Sequence, residues 1–598
     1  MSSYRHEMPF GASLIDGDGG VRFRLYAPGN ERADLLYDSG SGERRVPLES
    51  RADGWFEAVR ADARAGTRYR FAIGELLVPD PASRFQPEGV HEASVVVDPR
   101  AFAWPDDAWN GRPWNEHVFY ELHAGTFTPE GTYAAAQTKL DHLAALGVTA
   151  VELMPLADVP GTRNWGYDGV LAFAPSHNYG TPEDLKAFIV AAHARGLAVF
   201  LDVVHNHFGP EGNYLHAYGK VFYTDRFSTP WGSAIDVVDD DRETVRQFFI
   251  ENALYWLEEY RFDGLRFDAV DEIYDHPQRR FLRQLARTVE ERIDRPVYLV
   301  IENYRNEAGL LESGYRAQWN DDAHHAAHAA ITGEADGYYQ DYAKHAPALL
   351  ARTLTQGFAY QGERSTFRDI PRGEPSAHLE LGSFVTFLQN HDQVGNRAFG
   401  DRIATLAPAD ALRAALAVLF LAPSPPLLFM GEEWAASTPF LYFCDFEPEL
   451  ARKVTEGRRN EFRTFASFAD PQARERIPDP TDPATFEKSK LRWDEALREP
   501  HRGWLAYYTR LLEIRREQIA PRVAGVRGTD AGFELIGAAG IRARWRLASG
   551  VLRLDANLGP STEGGFDVTP EGTLVFCTHE PTYAGGRAPA WSARWSIG

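Results

Sequence analysis

Over the first hundred residues apolar and polar positions alternate in short runs: VRFRLYAP from Val21, ADLLYD from Ala33, GWFEAV from Gly54 and TRYRFAI from Thr67. A period of two, broken by Gly, Pro and Asp, marks half-buried strands, so residues 1–100 are expected to form an immunoglobulin-like β-sandwich. The stretch AFAWPDDAWNGRPWNEH that follows has no period and reads as a linker lying over a surface. The texture then changes to apolar runs separated by helical segments: VFYEL, VTAVELMP, AVFLDVV, GLRFDAV, VYLVIEN, AQWNDD, FVTFLQN and LLFMG. Eight such strands alternating with helices predict an α/β fold, a (β/α)8 TIM barrel over residues 101–517.

One helix is signalled in detail. Thr181 can cap it, Pro182 suits its first turn, Glu183 and Asp184 favour its positive end, and Leu185, Phe188, Ile189 and Ala192 share one face before Gly196 stops it. Long insertions follow the third strand (206–250) and the eighth (432–500), and loops of that length shape binding sites. From 518 to 598 the runs FELIGA, IRARWRLA, VLRLDANL and TLVFCTH return to β texture, a closing β-sandwich.

Composition narrows the function. Of 598 residues, 85 are Asp or Glu and 63 Lys or Arg, a formal charge of -22, which disfavours nucleic acid and anionic membranes and suits a neutral substrate. The 14 Trp and 25 Tyr supply flat faces of the kind on which sugar rings stack. Cys444 and Cys577 are the only cysteines, too few for a disulfide framework or a cysteine zinc site, and a reducing compartment is expected. The start MSSYRHEMPFGAS holds no apolar segment and no run is long enough to span a membrane, so the expected location is cytoplasmic.

Chemistry collects where a barrel places it, at the C-terminal ends of strands. The third strand ends in DVVHNH, with Asp202, Asn206 and His207. The fourth carries Arg266 and Asp268, the fifth ends at Glu302, and the seventh at His391 and Asp392. Paired carboxylates are what glycoside hydrolysis needs, one protonating the leaving oxygen and the other attacking the anomeric carbon or activating water. Arg266, two positions before Asp268 on one strand face, would keep that carboxylate ionised, while Glu302 at the end of VYLVI would be pushed up by desolvation.

The ordered segments DVVHNH, GLRFDAVD, IEN and LQNHD resemble the four signature regions of the α-amylase superfamily of glycoside hydrolases. That resemblance implies Asp268 as nucleophile, Glu302 as acid/base and Asp392 as a third carboxylate on the ring hydroxyls. It also implies Arg266, His207, His391 and Asp202 around the attacked glucose, with Tyr167 of NWGYD as its stacking platform. YELHAGTFTPEGTY, GTRNWGYDGV, NHFGPEGNYL, WNDDAHHAAHAAITGE, NHDQVGNRAFGDR and PLLFMGEEW narrow the likeness to the maltooligosyltrehalose trehalohydrolase family. These enzymes release trehalose from maltooligosyltrehalose, a neutral α-glucan supplied by a partner, maltooligosyltrehalose synthase, and need no cofactor. Many amylases hold calcium through the asparagine equivalent to Asn206. The remaining oxygen ligands cannot be assembled from this sequence, so no metal is expected.

Blander readings accompany several residues. Asp268 with Arg266 could be a structural ion pair, and His207, His391 and Tyr167 ordinary packing. Asn320 and Asp321, with Asp322, His324 and His325, either grip the departing trehalose or open a helix with an acidic first turn. Glu432 of MGEEW is expected to satisfy backbone rather than substrate, and Trp231 either stacks on substrate or is buried. Two rival functions remain: a glucan branching enzyme passing the glucosyl ester to a sugar hydroxyl, and an inactive carbohydrate-binding relative, whose signature would be a lost carboxylate.

Overall fold

The eight apolar runs pair in parallel, in chain order, and close on themselves. The strands are β1 (Phe119–Leu122), β2 (Ala150–Leu153), β3 (Ala198–Val203), β4 (Gly264–Phe267), β5 (Tyr298–Ile301), β6 (Ala317–Trp319), β7 (Phe384–Phe387) and β8 (Pro426–Phe429), with β1 also pairing β8. The computed structural model describes residues 4–17, 19–105, 109–229, 232–275, 279–465, 468–579 and 583–598. Trp231 lies outside them.

Side chains fill the barrel in layers. Towards the N-terminal ends of the strands Phe119, Phe200 and Trp114 form an apolar plug against Tyr298. Trp114 belongs to the aperiodic stretch before β1, which therefore seals the barrel floor, its indole N–H donating to the Gly382 carbonyl at 2.6 Å. Gly264 makes this possible: a Cβ there would meet the Phe200 ring at 2.1 Å. Above the plug the interior turns polar, with Glu121 of β1, Glu152 of β2, Asp202 of β3 and Arg266 of β4 all 2% exposed or less.

Helix α1 (Pro182–His193) forms as its sequence directs. Thr181 accepts from the Asp184 N–H, Asp184 returns the bond to Thr181, and Leu185, Phe188, Ile189 and Ala192 are buried. Gly196 then takes a left-handed φ of 70° while Leu197 bonds back to Ala192.

The N-terminal module is a sandwich of two antiparallel sheets, one built on Gly11–Leu14, Val21–Tyr26 and Trp55–Arg60, the other on Asp34–Asp38 and Arg68–Ile73. It docks on α2 (Glu243–Glu258) through Phe10 against Phe248 and through His6, which pairs Glu251 and Glu258 at 2.9 and 2.6 Å. The C-terminal module is a five-stranded antiparallel sheet with a two-stranded pair beside it. Trp545 and Trp595 stack together there and donate to Leu354 and Ala417, on the helices that precede β7 and β8. Each such ring buries ~150–250 Å², several kcal/mol at ~25 cal/mol per Å². Among the described residues no helix is long and apolar enough to cross a membrane, and no disulfide joins Cys444 to Cys577.

Candidate active site

At the C-terminal mouth the strand ends converge on one cavity of about 600 Å³. Asp268, Glu302 and Asp392 all line it, with His207, His391 and Tyr167. These residues come from β4, β5, the turn after β7, and the loops after β2 and β3. Asp268 ends β4 on a sharp turn in which Ala269 is forced to a left-handed φ of 37°. Such a residue costs ~1–3 kcal/mol and persists only where its surroundings over-determine it. Here the turn aims the Ala269 N–H at Glu302 Oε2, at 3.1 Å, while Val270 N–H bonds the Glu302 carbonyl.

Beneath the cavity Arg266 binds three carboxylates with one guanidinium. Its Nη1 donates to Asp202 at 2.6 Å and Asp268 at 2.9 Å, its Nη2 to Glu302 at 2.6 Å. Trp319 of β6 supports the cation from one face, 4.2 Å from ring centre to Cζ. Arg266 meets Asp268 as expected, and its planar fork reaches Glu302 as well, linking both carboxylates of the pair. Asn206 completes the hold on Asp268, donating to its Oδ2 at 2.8 Å, and turns its own oxygen to His207.

On the opposite side Tyr167 stacks on His391, with ring centres 4.9 Å apart, and gives its hydroxyl to Asp202 at 2.6 Å. His391 is gripped by Glu121, whose oxygens take its backbone N–H at 2.8 Å and its Nδ1 at 2.5 Å; its Nε2 lies 3.4 Å from Asp392. Asp392 also accepts from Asn396.

Charge is sorted among these groups. Burial pushes the Glu302 carboxyl well above the usual range, and Arg266 does not cancel that, because Asp268, Asp392 and Asp321 repel the anion. Burial also acts on Asp392, yet the His391 cation beside it holds that carboxyl below the usual range. For His391 burial opposes the charge, but Glu121 and Asp392 outweigh it and raise the imidazole well above its usual value. Burial raises Asp202 to about 6 against the pull of Arg266.

Other expected residues sit farther back. Asp202 and Arg266 lie under the cavity floor rather than on it. Asn320 is buried with its amide on the Gly357 carbonyl. Asp321 begins α3 (Asp321–Thr332), where burial first, and then the charges of Asp392 and Asp322, raise it to about 7 against the pull of Arg372. Asp322 is engaged by Asn306, Tyr342, Arg372 and the Ala359 N–H, and His324 by Leu388 and Tyr339, which is the helix-opening reading of that segment. Glu432 accepts from Tyr508 and the Phe429 N–H, away from the cavity.

Sequence reasoning missed part of the wall. Trp165, Asp168, Asn396, Tyr442, Arg458 and Glu461 line the cavity. Asn396 had a signal, standing four residues after Asp392. Arg458 sits on a helix of the insertion after β8, Pro448–Glu461, and donates to the Gly395 carbonyl, fixing that helix against the His391–Gly395 turn. No local pattern announces that contact.

Comparisons with known proteins agree with this architecture. Residues 9–100 match Carbohydrate-binding module 48 (Isoamylase N-terminal domain), 99–230 match Alpha amylase, catalytic domain, and 528–595 match a Domain of unknown function (DUF3459). The malto-oligosyltrehalose trehalohydrolase of Arthrobacter ramosus is 41% identical over 94% of this chain and 96% of its own. A solved structure of a putative alpha amylase from Salmonella typhimurium superposes with a TM-score of 0.91 at 44% identity, covering 98% and 99% of the two chains. The 1,4-alpha-glucan branching enzyme of Photobacterium profundum is 33% identical, over 42% of this chain and 38% of its own. Matching such a relative over 94% of its length, the chain belongs to the malto-oligosyltrehalose trehalohydrolase family of α-amylase-type glycoside hydrolases.

Proposed function

We propose that the chain hydrolyses the α-1,4-glucosidic bond next to the terminal trehalose of maltooligosyltrehalose, with retention of configuration, and releases trehalose. The observation that carries this reading is the single Arg266 fork joining Asp268 to Glu302 at the foot of a cavity walled by Asp392. One guanidinium can reach both carboxylates only if they are close. Retaining enzymes separate the pair by ~5 Å, inverting ones by ~6.5–9.5 Å to admit a water between them.

In the first step a carboxylate oxygen of Asp268 bonds the anomeric carbon as its bond to the leaving oxygen breaks, and the Glu302 proton passes to trehalose. In the second step Glu302 takes a proton from water, the hydroxide oxygen bonds the anomeric carbon, and the Asp268 ester opens. The raised Glu302 keeps its proton to higher pH than an ordinary carboxyl, as a general acid must. Asp268, with Arg266 on one oxygen and Asn206 on the other, is held in a fixed orientation. His207, His391 and the Tyr167 ring hold the attacked glucose, Asp392 binds its ring hydroxyls, and Asp202 acts through Arg266 and Tyr167. Asp321 is assigned to the trehalose side, with Asn320 fixing its helix start.

The substrate comes from a partner synthase that isomerises the reducing end of malto-oligosaccharides, and both enzymes would share the cytoplasm. We assign residues 1–100 to the N-terminal module, 101–517 to the barrel and 518–598 to the C-terminal module. The purified chain should release trehalose from maltooligosyltrehalose and little sugar from malto-oligosaccharide. New α-1,6 branches on amylose would overturn this in favour of a branching transferase, and no reaction with either would favour the inactive relative.

A further inference from the structure

The barrel interior holds one acid that this chemistry does not use. Glu152 of β2 faces Glu121 in register on β1, and on β3 its register partner Phe200 stands two residues before Asp202. It is 1% exposed, and neither carboxyl oxygen has a hydrogen-bond partner among the described residues. Asp202 carries the matching vacancy in hydrogen bonding: its Oδ2 serves Arg266 and Tyr167, while its Oδ1 is buried without a donor.

The charged groups whose fields reach Glu152 are Glu121, its register neighbour, and Asp202, Arg266 and His391. Both cations are already engaged, Arg266 by Asp202, Asp268 and Glu302, and His391 by Glu121 and Asp392. An ionised Glu152 would therefore be a buried charge with neither counter-ion nor donor, the costliest state a side chain can adopt. Burial first, then the charges of Glu121 and Asp202, drives it far above the usual carboxyl range. A neutral carboxyl has one O–H to give, and Asp202 Oδ1, two residues along β3 from the register partner of Glu152, is a buried acceptor that lacks a donor.

We propose that Glu152 is a positioning residue whose neutral carboxyl donates to Asp202 Oδ1, directly or through one buried water, and so completes the support of the carboxylate that anchors Arg266 beneath Asp268 and Glu302. The donor keeps Asp202 ionised. Without it Asp202 takes up a proton more readily, Arg266 shifts its charge towards Asp268 and Glu302, and Glu302 holds its own proton less tightly. The kinetic consequence is a basic limb of kcat/KM displaced to lower pH, and that part rests on the hydrolytic reading above.

Two variants and two readouts test this. Glu152→Gln keeps a donor of similar size, whereas Glu152→Met keeps volume without a donor. On maltooligosyltrehalose the Gln variant should stay within about threefold of the parent kcat with the same pH profile. The Met variant should lose about ten- to hundredfold in kcat, the worth of a hydrogen bond to a charged group, with KM little changed and the basic limb moved down. A Met variant with the parent's profile and rate overturns the proposal. Independently of any activity, the infrared difference between parent and Glu152→Gln near neutral pH should show loss of one protonated-carboxyl carbonyl stretch. Loss of carboxylate bands instead means Glu152 is ionised, and the proposal falls even if the chain proves an active hydrolase. If instead trehalose release fails while the acid band is found, the function is refuted and the protonation of Glu152 stands.

Discussion

Replacing Arg266 by methionine removes the one cation shared by Asp202, Asp268 and Glu302. Breaking a buried ion pair by deleting one partner costs ~3–5 kcal/mol, because the remaining charge stays buried without compensation. The lost cation–π contact with Trp319 adds ~1–2 kcal/mol that does not depend on pH. The ionic part does depend on pH, since carboxyls can escape the penalty by protonating. Asp202 already stands at about 6 and Glu302 well above the usual range, both through burial. Without Arg266 both of these rise further.

The sign follows from linkage. A carboxyl whose folded-state pKa exceeds its unfolded value stabilises fully only below the unfolded pKa, and that contribution disappears as pH rises through the folded pKa. The variant should therefore be only ~1–2 kcal/mol less stable than the parent below about pH 4, where the acids are protonated, and ~3–5 kcal/mol or more less stable near pH 8. Urea unfolding of both proteins at the two pH values, compared at equal m, measures the difference. A destabilisation that is the same at both, or below ~1 kcal/mol near pH 8, would refute the view that Arg266 is the counter-charge of this cluster.

Other substitutions separate chemistry from support. Asp268→Asn should lower turnover at least ~10⁴-fold while leaving the unfolding midpoint nearly unchanged, and near-native rates would remove the nucleophile assignment. Tyr167→Phe keeps the stack on His391 but loses the bond to Asp202, so kcat/KM should fall about ten- to hundredfold; an unchanged value would make the platform the whole of its role. His391, raised by Glu121 and Asp392 against burial, contributes stability that is complete below its unfolded pKa of ~6.5 and lost as pH rises through its folded value. His391→Asn should accordingly flatten the alkaline side of the stability profile, and an unaltered slope there would contradict the charge assigned to it. Asn206 spends its amide on Asp268 and His207, and among the described residues no three His, Cys, Asp or Glu side chains form a metal cluster. Activity should survive exhaustive dialysis against a chelator, and a loss restored by calcium would reverse that expectation.

The barrel and its three carboxylates were legible because each rests on a local signal: an apolar run for the strand, a polar residue at its C-terminal end for the site. What escaped is what several strands make together. VFYEL and VTAVELMP read as plain core strands, yet the Glu in each is buried in the interior, Glu121 holding His391 and Glu152 lying within the fields of Arg266 and His391. The reach of Arg266 to Glu302 depends on the stagger between β4 and β5, and the Arg458 contact depends on an insertion folding back across the mouth. Neither distance is written in any one segment.

A physical rule would nevertheless have flagged the hidden acids. A barrel strand is covered by helices outside and by other strands inside, so an ionisable residue within its apolar run cannot reach water and must find its partner on a different strand. Glu121 finds His391 beyond β7, and Asp202 finds Arg266 on β4. Counting inward charges strand by strand then leaves Glu152 over. An unmatched acid at the centre of a barrel is either a destabilising accident or a proton held in place, and the orphaned Asp202 Oδ1, two residues along β3 from its register partner, favours the second.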